Sequence, residues 1–159
     1  MIRQNGVPTS DLIRSKFPTE EILVKPKAII ECYQEIPCNP CSTSCPFDAI
    51  TIGDDINQIP SIDFDRCTGC VMCVYSCPGL AIMVARVHEE RAIFKIPYEM
   101  LPIPKVGDIW DGVNREGIII CQAIIEQVLN NNRTDRTTVI TASVPKQFLY
   151  EFVTVRRPS

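Results

Sequence analysis

The sequence predicts an α+β fold, in which a cysteine-rich module of two similar halves precedes a β-rich C-terminal domain. Two observations predict the module: eight of the nine cysteines lie between residues 32 and 77, and their surroundings repeat at a fixed offset. A third observation predicts the C-terminal domain, because β-branched runs with period-two alternation recur after residue 85.

The repeat has an offset of 32 positions. Because two short units cannot form a solenoid, we predict two halves that are related by a pseudo-twofold axis and share one core. The identical pairs are Cys38/Cys70, Cys41/Cys73, Cys45/Cys77, Pro46/Pro78, Ala49/Ala81 and Ile50/Ile82.

The cysteines divide the chain into a segment of residues 1–30, a module of residues 31–85 and a domain of residues 86–159. Seven acids against one base give residues 31–82 a net charge of −6, whereas the whole chain has −3. This modest total argues against a nucleic-acid partner, which would need a basic face. No apolar run reaches the ~18 residues of a transmembrane span, and no secretory signal is visible, so we predict a cytoplasmic protein.

Short elements are expected around the cysteines. Strands are predicted at residues 49–53, 61–65 and 81–85, and short helices at residues 42–45 and 71–76. In the C-terminal domain, strands are predicted at residues 92–96, 137–141 and 148–155, with a turn at 130–132 and possible closure into a barrel. Residues 118–129 fit both a helix and a strand; we favour a strand with Ile119, Cys121, Ala123, Ile125 and Leu129 on one face.

The second half contains the motif Cys67-x2-Cys70-x2-Cys73-x3-Cys77-Pro78. Three thiolates at this spacing wrap one corner of a cubane, so that each sulfur reaches a different iron, and the fourth cysteine points away. Soft thiolates suit iron–sulfur clusters or zinc. Zinc usually takes two separated pairs of ligands, which this run of three does not provide, so iron–sulfur clusters are the favoured interpretation.

Several segments of residues 31–85 resemble bacterial-type two-cluster ferredoxins: Cys45-Pro-Phe-Asp-Ala-Ile50, Cys77-Pro-Gly-Leu-Ala-Ile82 and Ile62-Asp-Phe-Asp-Arg-Cys67. The resemblance implies a compact α+β fold, two 4Fe–4S clusters and one-electron transfer, with each fourth cysteine bound to the other cluster. The implied ligands are Cys32, Cys38, Cys41 and Cys77 for the first cluster, and Cys67, Cys70, Cys73 and Cys45 for the second.

The first half departs from this motif, because the repeat places Glu35 where a cysteine is expected. Cys32 lies three residues earlier and is the predicted substitute, since a cubane iron prefers thiolate to carboxylate. The alternative is that Cys32 only packs, while the first cluster has three irons or a carboxylate ligand.

Residues 20–47, with Ile30-Glu-Cys-Tyr-Gln-Glu-Ile-Pro-Cys-Asn-Pro-Cys41, resemble the small iron–sulfur subunit of multi-subunit, FAD-dependent dehydrogenases of proline, hydroxyproline or similar amino acids. Pro97-Tyr-Glu-Met-Leu-Pro-Ile-Pro104 agrees with that resemblance. It implies flavin-containing (FAD or FMN) partner subunits, an external electron acceptor, a docking role for residues 1–30 and no catalytic site in this chain. A free, diffusible ferredoxin and a protein with purely structural clusters are the alternatives.

Overall fold

The computed structural model describes residues 2–130 and 137–159. Its three α-helices are short, and most of the regular structure is strand. The helices are α1 (Ser10–Ser15), α2 (Pro40–Ser44) and α3 (Met72–Ser76). The strands are β1 (Lys27–Ile30), β2 (Ile50–Thr51), β3 (Ser61–Ile62), β4 (Ile82–His88), β5 (Arg91–Tyr98), β6 (Ile109–Val113), β7 (Ile119–Asn130), β8 (Thr138–Pro145) and β9 (Thr154–Arg156).

Seven strands form one antiparallel sheet in the order β1-β4-β5-β8-β7-β6-β9. This sheet joins a strand that precedes the cysteines, a strand that follows them and the strands of the C-terminal half. Residues from all three predicted parts of the chain therefore share one sheet. No helix in residues 2–130 or 137–159 has the length and apolar character needed to cross a bilayer.

The two halves of the cysteine module use their strands in the same way. Strand β2 follows Cys45 and pairs antiparallel with β3, which precedes Cys67. Strand β4 follows Cys77 and pairs antiparallel with β1, which precedes Cys32. In each half, the strand after the last cysteine thus pairs with the strand that leads into the other half.

Strands β1 and β4 separate two hydrophobic cores. Ile29 and Met83 pack into a core formed with the C-terminal strands, whereas Ile30 and Ile82 pack into a second core that contains cysteines. Because successive side chains of a strand point to opposite faces, a strand between two cores must be apolar on both. The continuous apolar run Ala28-Ile29-Ile30 meets this requirement, and all four residues of β1 are buried.

Residues 119–130 form a strand, as the sequence pattern favoured. Cys121, Ala123 and Ile125 do share the inner side, but Ile119 is 46% exposed, so its predicted position was wrong. The β6–β7 register shifts between Gly112 and Val113, which turns Ile119 outward and lets Ile120 pack on the core. A bulge of this kind reverses the alternation that sequence periodicity assumes.

The predicted strand at residues 148–155 was also wrong over most of its length, because only Thr154–Arg156 is a strand. The amides of Glu151 and Phe152 instead donate to the Phe148 carbonyl. This helical turn puts both Leu149 and Phe152 into the main core, which an extended chain would not do at a spacing of three residues.

Strand β6 was missed because it lies in a stretch rich in turn residues. Trp110 of β6 is 6% exposed and packs edge-to-face on Tyr98, at 5.9 Å between ring centroids. Two predicted strands proved shorter, at Ile50–Thr51 and Ser61–Ile62. After the latter, the Asp65 amide donates to the Asp63 carboxylate and turns the chain. The predicted turn at 130–132 lies mostly outside the described residues.

Candidate metal centre

The two short helices position the cysteines of both motifs in the same way. Cys41 lies in α2 and Cys73 in α3, and both are buried. Each helix stops at the next cysteine, where Cys45 and Cys77 have extended backbones with ψ of 114° and 112°. Both precede a proline, and the helical conformation is sterically disfavoured for a residue before proline. The Cys-Pro pairs therefore end each helix and direct the fourth thiol away from the first three.

Cys32, Cys38, Cys41 and Cys77 form a first group of thiols. Burial raises the pKa of Cys32, and the nearby charges of Cys77 and Cys38 add to the rise. Burial also raises the pKa of Cys41, against a lowering by the Ser42 amide, and Cys77, Cys38 and Cys32 again contribute. Cys77 belongs to the second motif, so the fold brings it to the thiols of the first.

Cys45, Cys67, Cys70 and Cys73 form a second group of thiols, and they line one small cavity. Burial raises the pKa of Cys73 to about 12, and the charges of Cys67, Cys70 and Cys45 add to the rise. Cys45 comes from the first motif. The other cavity walls are largely apolar and include Ala28, Ala49, Ile50, Val71 and Val84.

Backbone amides donate to three of these sulfurs. The Ala49 amide donates to Cys45 Sγ and the Ala81 amide to Cys77 Sγ, both at 3.4 Å, in equivalent positions of the two halves. The Ala28 amide of β1 donates to Cys67 Sγ at 3.3 Å. Hydrogen bonds to ligand sulfurs are one of the means by which a protein tunes a bound iron–sulfur cluster.

Two residues of the second motif adopt left-handed backbone conformations. Gly69 has φ of +72° and Val71, which lines the cavity, has φ of +66°. A β-branched residue in this region is a genuine outlier, and such strain is typical of functional sites. The backbone conformation of this loop is therefore one that the intrinsic preference of Val71 would not favour.

The thiols fit 4Fe–4S clusters in number, chemistry and surroundings. Two groups of four soft donors, amide hydrogen bonds to sulfur and largely apolar walls are the features by which proteins hold such clusters. Within the described ranges, no three cysteine, histidine or acidic side chains are close enough to share one ion. The ligands of a cubane bind separate irons, so they need not converge on a single point.

The remaining predicted residues lie as follows. Glu35 is exposed, and Cys32 is half-buried beside the cysteine-containing core. Cys121 lies in β7 against the other core, apart from both thiol groups. One residue that sequence reasoning missed is Lys27, which is buried and donates to the Cys67 carbonyl. The sequence feature that could have indicated this role is the position of Lys27 at the start of an apolar strand.

Comparison with protein families identifies residues 36–81 as a match to the 4Fe-4S dicluster domain. The matched range contains seven cysteines of the two groups and begins after Cys32. No solved structure is a significant match to the chain.

Several curated proteins match part of the chain. One component of the Na(+)-translocating ferredoxin:NAD(+) oxidoreductase complex of Acetobacterium woodii is 50% identical over 55 residues, which are 35% of this chain and 16% of that protein. Pyruvate synthase subunit PorD of Methanocaldococcus jannaschii is 39% identical over 56 residues, 35% of this chain and 60% of that one. One of the sulfite dehydrogenase subunits of Allochromatium vinosum is 37% identical over 74 residues, 46% of this chain and 28% of that one.

The chain spans less than two thirds of the length of these relatives. Their names describe subunits of redox enzymes or complexes. The family match itself is confined to residues 36–81, which are similar to the 4Fe-4S dicluster domain.

Proposed function

We propose that the chain is the electron-transfer subunit of a dehydrogenase complex and holds two 4Fe–4S clusters with crossed ligation. The first cluster takes Cys32, Cys38, Cys41 and Cys77, and the second takes Cys67, Cys70, Cys73 and Cys45. The main support is the arrangement of the thiols in two groups of four, each of which receives one cysteine from the other motif.

The closeness of the two groups favours conduction over a purely structural role. The charge of Cys41 in the first group contributes to the raised pKa of Cys73 in the second. The helices that hold these residues, α2 and α3, pack against each other. Two clusters in adjacent positions form a path for electrons, whereas one cluster would be enough to brace a fold.

The bound clusters would supply the one-electron chemistry, and the protein controls their surroundings. The amides of Ala28, Ala49 and Ala81 donate to ligand sulfurs, and a buried apolar shell limits the access of water. Both features set the potential of such a centre. At the surface, Cys70 is the exposed ligand, so the second group lies nearest to solvent there.

The proposed partners are FAD- or FMN-containing subunits that oxidise an amino acid such as proline or hydroxyproline, with electrons passing to an external acceptor in the cytoplasm. This chain would have no catalytic site of its own. The similarity of residues 20–47 to small subunits of such dehydrogenases motivates the partner, and the matched relatives include named subunits of multi-subunit redox enzymes. The division into residues 1–30, 31–85 and 86–159 would then separate docking, cluster-binding and further docking roles.

Exposed apolar residues outside the cysteine module support a docking role for the C-terminal half. Ile109 and Ile124 lie opposite each other on β6 and β7 and are 55% and 40% exposed. The connection before β6 adds Met100, Leu101 and Val106, of which Leu101 is 84% exposed. Grouped apolar side chains at a surface are typical of protein interfaces.

Isolation of the tagged chain from its source under anaerobic conditions tests the proposal. We expect a flavoprotein to co-purify, and about eight irons and eight sulfides per chain, since each cubane contributes four of each. Addition of proline or hydroxyproline should reduce the flavin and then the clusters, as followed by absorbance and EPR. The matched controls are Cys73→Ala, which should lose the second cluster, and Cys121→Ala, which should retain both.

Each alternative gives a different result. Stoichiometric zinc without sulfide would refute the clusters. A stable monomer with reducible clusters and no flavoprotein would favour a diffusible ferredoxin. Clusters that no reductant can reduce would favour a structural role.

A further inference from the structure

A lysine side chain is buried next to the second group of thiols. Lys27 is 8% exposed, and its Nζ donates to the carbonyls of Phe64 at 2.6 Å and Cys67 at 2.7 Å. The next residue, Ala28, donates its amide to Cys67 Sγ. Strand β1 therefore directs both a side-chain donor and a backbone donor at the cysteine that begins the second motif.

The surroundings of Lys27 suit an ammonium ion. This group has donors only, and both of its observed partners are carbonyl acceptors. Among the ion pairs of residues 2–130 and 137–159, none includes Lys27. The carboxylates that flank Phe64, Asp63 and Asp65, are exposed, so solvent screens their charge. The positive charge is thus not neutralised by a contacting carboxylate.

The other half of the module has no equivalent charge. The offset of 32 positions relates Lys27 to Ile59, an isoleucine that is 37% exposed. The effect of a cation at residue 27 should therefore fall mainly on one cluster. Cys32 of the first group lies five residues further along the chain, and Coulomb interactions weaken with distance.

We infer that Lys27 is a positioning and tuning residue that raises the reduction potential of the second cluster above the value its ligands alone would give. This inference rests on the proposed function. If a reduced flavin donated one electron to the second cluster, that cluster would gain one negative charge and the flavin would lose one electron. A nearby ammonium stabilises the more negative state, so it favours reduction.

Anaerobic potentiometry followed by EPR on the holoprotein tests the inference. Cys70→Ala assigns the signals, because it removes a ligand of the second cluster. In Lys27→Gln, which keeps a donor but has no charge, the ratio of reduced to oxidised second cluster at a fixed potential should fall at least tenfold, which is about 59 mV for one electron. The reduction potential of the first cluster should shift less.

Two variants separate charge from packing. Lys27→Arg keeps the charge and should retain a potential close to that of the wild type. Lys25→Gln removes the same charge from an exposed position of the same segment and should change the reduction potential of neither cluster. The inference is overturned if Lys27→Gln leaves the potential unchanged, if Lys27→Arg shifts it equally, or if Lys27→Gln loses the second cluster, which would indicate a structural role. Absence of two clusters from the wild type would instead refute the proposed function.

Discussion

Pro46 and Pro78 contain no metal-binding atom, yet each fixes the direction of a proposed ligand. Each proline disfavours the helical conformation for the cysteine before it, and α2 and α3 both stop at that residue. The chain then turns, and an amide four residues after the cysteine donates to its sulfur. The Cys-Pro pair and the following alanine thus act as one local unit that occurs twice.

Cys32 and Glu35 differ in a way that can be tested directly. Cys32 interacts electrostatically with Cys77 and Cys38, whereas Glu35 is exposed. We expect Cys32→Ala to lose the first cluster or convert it to a three-iron form, because a hard carboxylate is a poor replacement for thiolate. Glu35→Gln should leave both cubanes intact. EPR and iron counting measure the result, and the reverse behaviour of the two variants would show that the repeat register was the better guide.

Gly69 occupies a position that no other residue fits. Its φ is +72°, and an added Cβ would lie 2.7 Å from Pro26 Cβ and 2.8 Å from the Pro26 carbonyl oxygen. Gly69→Ala should lower the free energy of unfolding by at least about 1–2 kcal/mol, the cost of the left-handed conformation alone. The clash with Pro26 should also weaken binding of the second cluster.

Gly79→Ala is the matched control for this substitution, because no atom lies within 4 Å of the added Cβ. Its effect should stay within about 0.5 kcal/mol. Anaerobic denaturant unfolding and the iron content of both variants make the comparison. Equal stability of the two variants would contradict the strain assigned to Gly69.

At the scale of elements, sequence patterns predicted local structure well where one periodicity dominates. Helices α2 and α3 and strands β5, β7 and β8 lie where they were expected. The resemblance to two-cluster ferredoxins implied which cysteines bind which cluster, and that assignment stays a prediction. Interactions between residues that are close in the sequence determine these helices and strands.

The patterns failed where tertiary contacts decide. A bulge between Gly112 and Val113 reverses the alternation of β7, and burial of Leu149 and Phe152 requires a helical turn in place of a strand. The role of β1 was not predicted either, because a short apolar run does not show that the strand has one core on each of its two faces. These features depend on how segments that are distant in the sequence pack against each other.

The proposed crossed ligation depends on where the helices and loops place each fourth cysteine, and double substitutions test it. Cys32→Ala with Cys77→Ala should damage a single cluster, so one intact cubane with about four irons should remain. Cys32→Ala with Cys45→Ala should damage both clusters and leave no intact cubane. Iron analysis and EPR distinguish the two outcomes. Ligation of each cluster by its own motif would exchange the two results.

At the scale of the whole molecule, the C-terminal half is tied directly to the cysteine module. Strands β1 and β4 belong to the same sheet as the C-terminal strands. In addition, Arg115 forms a largely buried ion pair with Glu31, the residue before Cys32, and donates to the Tyr150 carbonyl at 2.9 Å. The surroundings of Cys32 therefore depend on a residue more than eighty positions away.

Arg115→Ala should destabilise the protein strongly, because it leaves the Glu31 carboxylate buried without a partner. The two side chains are only 9% and 13% exposed, and removal of one partner from such a pair costs about 3–5 kcal/mol. Since Glu31 adjoins Cys32, the first cluster should also lose iron faster to a chelator. Anaerobic urea unfolding gives the stability, and EPR during chelation shows which cluster is lost.

Arg3→Ala is the matched control, because Arg3 pairs with Glu116 at 3.0 Å in a setting where the side chains are 50% and 37% exposed. Solvent screens this pair, so its loss should cost less than about 1 kcal/mol and should leave chelation unchanged. The double variant Glu31→Gln with Arg115→Met should recover part of the stability, since it removes both charges together. Equal destabilisation by Arg115→Ala and Arg3→Ala would show that the buried pair does not connect the C-terminal half to the first cluster.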